Sequence, residues 1–595
     1  MADIHSEPLD PAAYDSLGAL LADALIQFKS DVALVENDRK RETRRITYRQ
    51  FRDTGRALTT HLDGLGVGPG DRVAIIMSNQ PSWLISAFAI FHRGATLIPV
   101  DYKLTAAEQR ALLDHAKPKA LITEYPIWRR LEQVEVPHIL VTEVPDGRDA
   151  DLRSVASRWE QAATPNPGAK IPVLVERKRS DDACIVYSSG TGGRPKGCVL
   201  THGNYLAQLD ALLALFPIVG GDRYFSILPT NHAIDFMCGF IGPLSGGATV
   251  VHQRTLRPEF LVETMKRQRI THMTVVPLIL EAFERALKDK LDAQPSWKQQ
   301  LVSGLSAING FLTEKRANHA LSSKLLKPIH DGFGGDLKML ICGGAFVDRQ
   351  RAEYFYKLGL PVVIGYGLTE CCTVATVNDL KPFRGDSVGR PVLGVDVKID
   401  NPGPDGVGQV LIKGPTVMDR YLDDPDLTAE TIIDGWLHTG DLGVMDAAHH
   451  LKLVGRSKNM IVTAGGKNIY PEDIEAAFES LEVEELCVFA ENYVWPPGGR
   501  TNAKTTKKDA LTAERLIAVL RVRVDDDHDK TAGTATVVPQ LAALNRRLVD
   551  YKRVDGYIVV DDDFPRTASM KVKRNALAEM LREHVDPSSV TLLQA

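Results

Sequence analysis

Residues 188–197 read Ser-Ser-Gly-Thr-Gly-Gly-Arg-Pro-Lys-Gly, a composition that suits an anion. Gly190, Gly192, Gly193 and Gly197 let backbone N–H groups approach phosphate oxygens without a side chain in the way, and Ser188, Ser189 and Thr191 add hydroxyl donors. Lys196 adds a mobile cation, and Pro195 stiffens the approach to it. Phosphate binding is therefore expected. The loop of kinases and ATPases ends in Gly-Lys-Ser or Gly-Lys-Thr, which Pro195-Lys196-Gly197 does not match. A different phosphate chemistry is implied.

Such a loop needs elements to hold it. Residues 183–187 predict a buried strand in front of it, and Asn204 predicts the cap of a following helix that carries Leu206, Leu209, Leu213 and Phe216 on one face. Similar short apolar runs at 72–77, 120–123, 271–276, 339–341 and 362–364 alternate with helical patterns. That alternation predicts an α/β fold of mixed, largely parallel sheets flanked by helices. Residues 287–335 read as a polar, helix-prone insertion between two strands. After Gly455-Arg456 the texture changes to a strand over 460–463, a glycine turn and a helix opened by Pro471. Two domains are expected, a large one over 1–455 and a small, mobile α+β one over 456–595.

Composition removes several alternatives. The 595 residues, 44% hydrophobic and 25% charged, suffice for more than one large core. The net charge of -5 offers no nucleic-acid footprint, and the short basic run at 504–508 is balanced by Asp525-Asp526-Asp527 and Asp561-Asp562-Asp563. Seven scattered cysteines without a Cys-x-x-Cys pair predict a reduced, cytoplasmic protein lacking structural zinc. The polar first residues lack a secretory signal. The most apolar stretch, 236–251, is broken by glycines and is shorter than the roughly 20 residues a bilayer needs. Peripheral membrane contact and homodimerisation remain open.

The 188–197 loop resembles the signature of the adenylate-forming superfamily, which includes acyl-CoA synthetases, adenylation domains of peptide synthetases and beetle luciferases. Gly192 stands where that signature usually has a second threonine. Further motifs follow in order. Residues 97–101, and Leu228-Pro229 with His232, resemble the early ones. Cys342-Gly343-Gly344-Ala345 resembles the strand end at the adenine pocket, and Gly365-Tyr366-Gly367-Leu368-Thr369-Glu370 the segment that stacks on adenine and meets the α-phosphate and magnesium. Residues 435–441 resemble the motif whose aspartate, here Asp441, holds the ribose hydroxyls. Gly455-Arg456-Ser457-Lys458 resembles the hinge, with Arg456 on the ribose and Lys458 as pivot. Phe564-Pro565-Arg566-Thr567 leads to Lys571 in the place of the catalytic lysine, and Gly465, Gly466, Lys467 and Asn468 resemble the loop used for thioester formation.

The resemblance implies ATP, Mg²⁺ and coenzyme A. A carboxylate acylates poorly because oxide would have to leave; attack on the α-phosphate of ATP turns that oxygen into AMP. Lys571 would bridge the two anions, Thr191 and Glu370 would hold Mg²⁺, and Asp441 would accept from two ribose hydroxyls. Thr369 and His232 complete the catalytic set, His232 as a gate or wall of the acyl pocket. Coenzyme A would then take the acyl group after the small domain pivots at Lys458. A carrier-protein phosphopantetheine is the alternative acceptor, and silent nucleotide or acyl binding the third reading. Ala233 follows His232 where amino-acid-activating relatives carry aspartate, which disfavours an α-amino acid. The 287–335 insertion and the Ser569-Met570-Lys571-Val572-Lys573-Arg574 ending resemble the long-chain acyl-CoA synthetase branch, so a hydrophobic carboxylic acid is expected, straight, branched or polycyclic. Two departures stand out: Arg420, where glycine is common, and Cys371-Cys372 after Glu370, bulky or reactive groups expected to reshape the acyl pocket. Gly385-Asp386-Ser387-Val388-Gly389 fits a hydrolase elbow in letters only, because prolines on both sides deny it the strand and the helix it needs.

Overall fold

Strands buried on both faces read as unbroken apolar runs, and the runs at 72–77 and 120–123 form such strands. In the computed structural model Arg72–Ile76 pairs in parallel with Thr96–Pro99 and with Ala120–Glu124. They lie inside an eight-stranded sheet ordered Arg420–Tyr421, Lys196–Thr201, Asp182–Ser188, Thr96–Pro99, Arg72–Ile76, Ala120–Glu124, His138–Thr142, Ala156–Arg158. The runs at 271–276, 339–341 and 362–364 form His272–Val275, Met339–Gly343 and Val362–Tyr366, parallel neighbours in a nine-stranded sheet. Antiparallel pairing in that sheet is confined to its ends. Helix Pro81–His92 is buried along its whole length, and Trp83 meets Phe236 and Phe240 edge to face in the largest core.

The structure describes all residues except 1–6, 132–133, 153–155, 169, 189–195, 345–346, 464–467, 496–511, 514, 523–529, 567–571 and 594–595. They form two compact units, Met1–Val397 with Ile412–His438, and Lys398–Leu411 with Thr439–Ala595. The insertion is helical, as expected: Pro277–Asp292, Ser296–Leu312, His319–Leu325 and Lys327–Gly332 lie between two parallel strands. The second unit contains a four-stranded sheet, Val483–Ala490, Leu516–Val522, Gly556–Val559 and Thr591–Leu592, with helices Pro471–Ala477 and Arg574–His584. Pro471 occupies the first turn of its helix, where its missing N–H costs nothing. Among the described residues no helix is long and apolar enough to cross a membrane, and no disulfide joins the seven cysteines.

One local expectation is corrected. The phosphate-loop segment does not pass from strand to helix; it joins two antiparallel strands, Asp182–Ser188 and Lys196–Thr201. Cys198, Val199 and Leu200 are fully buried, which is what turns 196–201 into a strand. The helix begins afterwards, over His202–Leu215, and its cap is Thr201, not Asn204. Thr201 Oγ1 accepts from Asn204 N–H at 3.1 Å while Asn204 Oδ1 accepts from Thr201 N–H at 2.8 Å, so two amides are satisfied reciprocally.

Candidate active site

Ser188 and Lys196 are register partners at the mouth of this hairpin; Ser189, Gly190, Thr191, Gly192 and Gly193 lie outside the described residues. Strand Arg420–Tyr421 pairs with the outer side of Lys196–Thr201, placing Tyr421 opposite Cys198. Lys196 Nζ sits 5.8 Å from the centre of the Tyr421 ring, and the Tyr421 hydroxyl donates to Glu370 Oε1 at 3.0 Å. Burial, and then the Glu370 charge, hold the Tyr421 phenol well above its ordinary pKa, so it remains a donor. Cation, phenol and carboxylate are thus gathered at one end of the hairpin. Arg420 ion-pairs with Asp182 at 2.8 Å and Asp419 at 2.6 Å, fastening this edge strand to the sheet.

Glu370 lies in the short turn Thr369–Cys371, whose backbone is tied by Met418 N–H to Glu370 O at 2.8 Å. Cys371 and Cys372 are fully buried, and burial pushes the Cys372 thiol well above its ordinary pKa. They are packing groups, so of the two expected characters, bulky or reactive, burial leaves the bulky one. Cys372 adopts φ 68°, unusual for a residue with a side chain, and turns the chain sharply after Glu370. The next residue, Thr373, donates from Oγ1 to Ala233 O at 3.2 Å, which ties this turn to the His232 segment.

His232 precedes the short helix Ala233–Phe236, and its Nε2 lies 3.7 Å from Asp101 Oδ2. The 97–101 and 228–232 motifs therefore meet. Gly343 and Gly365 are register partners at the carboxyl ends of two parallel strands, where open α/β sheets bind ligands. Gly344 follows at φ 85°, and Gly367 passes so close to Thr373 that a Cβ would lie 2.1 Å from its carbonyl oxygen. Both positions require glycine. Tyr366, between them, is buried, and Ala345 lies outside the described residues. A separate cleft of about 680 Å³, bordered by Arg72, Asp114, Lys117 and Glu135, opens at the amino-terminal edge of the eight-stranded sheet, away from these strand ends.

Strands Trp436–Met445 and Leu451–Arg456 place Asp441 directly across from Arg456, both residues of the second unit. Arg456 Nε donates to Asp441 Oδ1 at 2.6 Å, and Asp441 is 8% exposed against 38% for Arg456. Lys458 is exposed in the turn that follows, where Asn459 and Met460 N–H donate to Arg456 O at 3.0 and 3.1 Å. Gly465, Gly466 and Lys467 lie outside the described residues, and Asn468 opens a strand paired with Val462. Lys571 is also outside them, but its flanks are fixed. Arg566 bridges Val572, Lys573 N–H donates to Pro565 O at 2.6 Å, and Arg566 Nε donates to the buried Glu485 at 2.9 Å.

Sequence reasoning missed Tyr421, Glu485 and Asp235. Asp235 is fully buried; its Oδ2 accepts from Ser226 Oγ at 2.7 Å and Thr230 Oγ1 at 3.1 Å. Burial raises its carboxyl to about 7, and the π-helical turn Met237–Ile241 begins two residues later. Only Asp235 had a local signal, an acid inside an apolar run.

Residues 21–422 match the AMP-binding enzyme family, about two thirds of the chain. A relative from Rhodococcus jostii (strain RHA1), named 3-[(3aS,4S,7aS)-7a-methyl-1,5-dioxo-octahydro-1H-inden-4-yl]propanoyl:CoA ligase, is 28% identical over 90% of this chain and 94% of its own. The long-chain-fatty-acid--CoA ligase FadD15 of Mycobacterium bovis is 28% identical over 89% of this chain and 90% of its own. Among solved structures, the o-succinylbenzoate CoA synthetase of Bacillus subtilis with its acyl-adenylate shares the fold at TM-score 0.69 and 20% identity, covering 94% of this chain and 97% of that one. With the family match running from residue 21 to residue 422, through the motifs at 97–101, 188–197, 228–232, 342–345 and 365–370, the chain belongs to the AMP-binding enzyme family.

Proposed function

We propose that the protein is an acyl-CoA synthetase that activates a hydrophobic carboxylic acid with ATP and passes it to coenzyme A. The observation that supports this most is the placement of Glu370, held by Tyr421 beside Lys196, at the mouth of the glycine-rich hairpin. Mg²⁺ commonly binds one or two protein carboxylates and completes its shell with phosphates and water, so a single carboxylate with one oxygen already oriented fits that donor set. Glu370, with Thr191, would hold it, and it would supply charge neutralisation on the phosphates.

In the first step a carboxylate oxygen forms a bond to the α-phosphorus as the bond to pyrophosphate breaks. Lys196 and the loop amides offset phosphate charge, Lys571 bridges carboxylate and α-phosphate, and Asp441 accepts from the ribose hydroxyls while Arg456 holds it in place. Gly343, Gly344 and Tyr366 supply the adenine wall, and His232 with Asp101 lines the acyl entrance. In the second step the thiol sulfur of coenzyme A bonds to the acyl carbon, AMP leaves with the carbonyl-bound oxygen, and the thiol proton goes to solvent. Residues 464–468 serve that step, brought up by rotation at Lys458, and the functional boundary is placed at 455/456. A reducing, cytoplasmic setting suits seven thiols.

The two relatives are named for a dioxo fused-ring propanoate and for a long-chain fatty acid, each a carboxylate on a largely hydrocarbon body, which supports a hydrophobic acid. The test is a panel of fatty, aryl and polycyclic acids with ATP and Mg²⁺, read by hydroxamate trapping and by thioester formation with coenzyme A or a phosphopantetheinylated carrier protein. Hydroxamate with an apolar acid and thioester with free coenzyme A are expected. Absence of pyrophosphate–ATP exchange with every acid would end the proposal.

A further inference from the structure

The helical insertion has no part in the chemistry above, yet its helix Ser296–Leu312 is built inside out. An ordinary surface helix turns its apolar stripe to the core. Here the one fully buried position is polar: Asn309 donates from Nδ2 to Lys357 O at 3.0 Å and accepts from Ser322 Oγ at 2.8 Å, while Val302 and Leu305 are only partly covered. The outward side carries Trp297, Leu301, Ile308, Phe311 and Leu312, from 50% exposed at Ile308 to 78% at Phe311. At about 100° per residue these five fall within one arc of about 100°, along a helix about 25 Å long.

The charge around the stripe indicates what covers it. Residues 296–332 contain Lys298, Lys315, Arg316, Lys324 and Lys327 against Glu314 and Asp331, the latter paired with Lys327 at 2.7 Å, although the whole chain carries a net charge of -5. All five cations are exposed, and Lys298 Nζ sits 5.6 Å from the Trp297 ring, at the edge of the stripe. Trp and Phe near opposite ends of an apolar face, with basic side chains beside it, match the chemistry of a helix that lies in a lipid headgroup layer. A second copy of the chain packed on this face about a two-fold axis would set five cations against five, with two acids on each copy to offset them. We infer that Ser296–Leu312 docks the protein, apolar face down, on a bilayer surface that contains anionic lipid.

Docking needs neither ATP nor acid, so its test is separate from that of the proposed activity. The full chain is mixed with vesicles of phosphatidylcholine alone or with phosphatidylglycerol added, and the bound fraction is read by sedimentation. Binding is expected on the anionic vesicles, weaker at high salt because the electrostatic part is screened. W297Q/F311Q should partition at least about tenfold more weakly. K298E/K315E/R316E should lose the preference for anionic vesicles. Both variants should keep the wild-type unfolding temperature and the wild-type activity on a water-soluble acid. Equal binding by wild type and W297Q/F311Q, or none by wild type, would overturn the inference. So would a concentration-dependent dimer that W297Q/F311Q abolishes, which would assign the face to a second copy.

Discussion

Tyr421 has one hydroxyl proton, and Glu370 receives it. Tyr421→Phe keeps the ring beneath Lys196 and removes the hydroxyl that holds Glu370, a bond worth about 1–1.5 kcal/mol, so adenylation should fall about tenfold. The loss should come with a higher Mg²⁺ requirement in pyrophosphate exchange, a readout that a purely packing role for Tyr421 would leave unchanged. Glu370→Gln should cost at least about a hundredfold, because the charge itself is lost. Asp235 yields a stability prediction. Its folded-state carboxyl titrates at about 7, against 3.8 for an ordinary aspartate, so the folded protein holds a proton the unfolded chain has released between those values. Stability from this group is full below the lower value and is lost as pH rises to the upper one. Asp235→Asn cannot ionise; relative to wild type it should gain about 2–3 kcal/mol between about pH 5 and about pH 8, measured by urea unfolding at both. A constant difference across that range would mean Asp235 is ionised in the folded state.

The stalk that carries Lys571 is a bridged pair of segments pinned by Glu485 to Arg566 and to Phe564 N–H, the latter at 2.9 Å. Glu485→Gln removes the charge opposite Arg566, with an expected cost of about 1–3 kcal/mol. Adenylation should slow, while thioester formation from supplied acyl adenylate and coenzyme A should hold, because Lys571 is assigned to the first step alone. Equal slowing of both would detach the stalk from that assignment. The parallel strands were legible because burial on both faces leaves them mostly apolar, with the few polar residues, such as Arg72 and His272, largely at strand ends. Lys196–Thr201 was not: it opens on Lys-Gly, and Thr201 and Asn204 share a capping box that reads equally well from either end. The Tyr421–Glu370 bond spans 51 positions and creates no local pattern, so only the folded chain reveals it. Asp441 and Arg456 could be assigned by motif, but their pairing depends on hairpin register.

For the whole molecule, the order of its motifs carried the family but not the geometry of turnover, because a pivot is a property of two bodies and a sequence names only its residues. The turn at Lys458 makes that pivot testable. Its backbone bonds run from Ser457 N–H to Gly440 O at 2.9 Å and from Asn459 and Met460 N–H to Arg456 O. A proline at 458 removes none of these three bonds but fixes φ there and biases Ser457 toward an extended backbone. If one domain serves two steps in turn, Lys458→Pro should leave pyrophosphate exchange within about threefold of wild type and slow thioester formation from supplied acyl adenylate by on the order of tenfold or more. Lys458→Ala, which keeps the backbone free, should behave as wild type in both assays. A proline variant that loses both steps equally would show that this turn shapes a single arrangement and that rotation elsewhere, or none, completes the reaction.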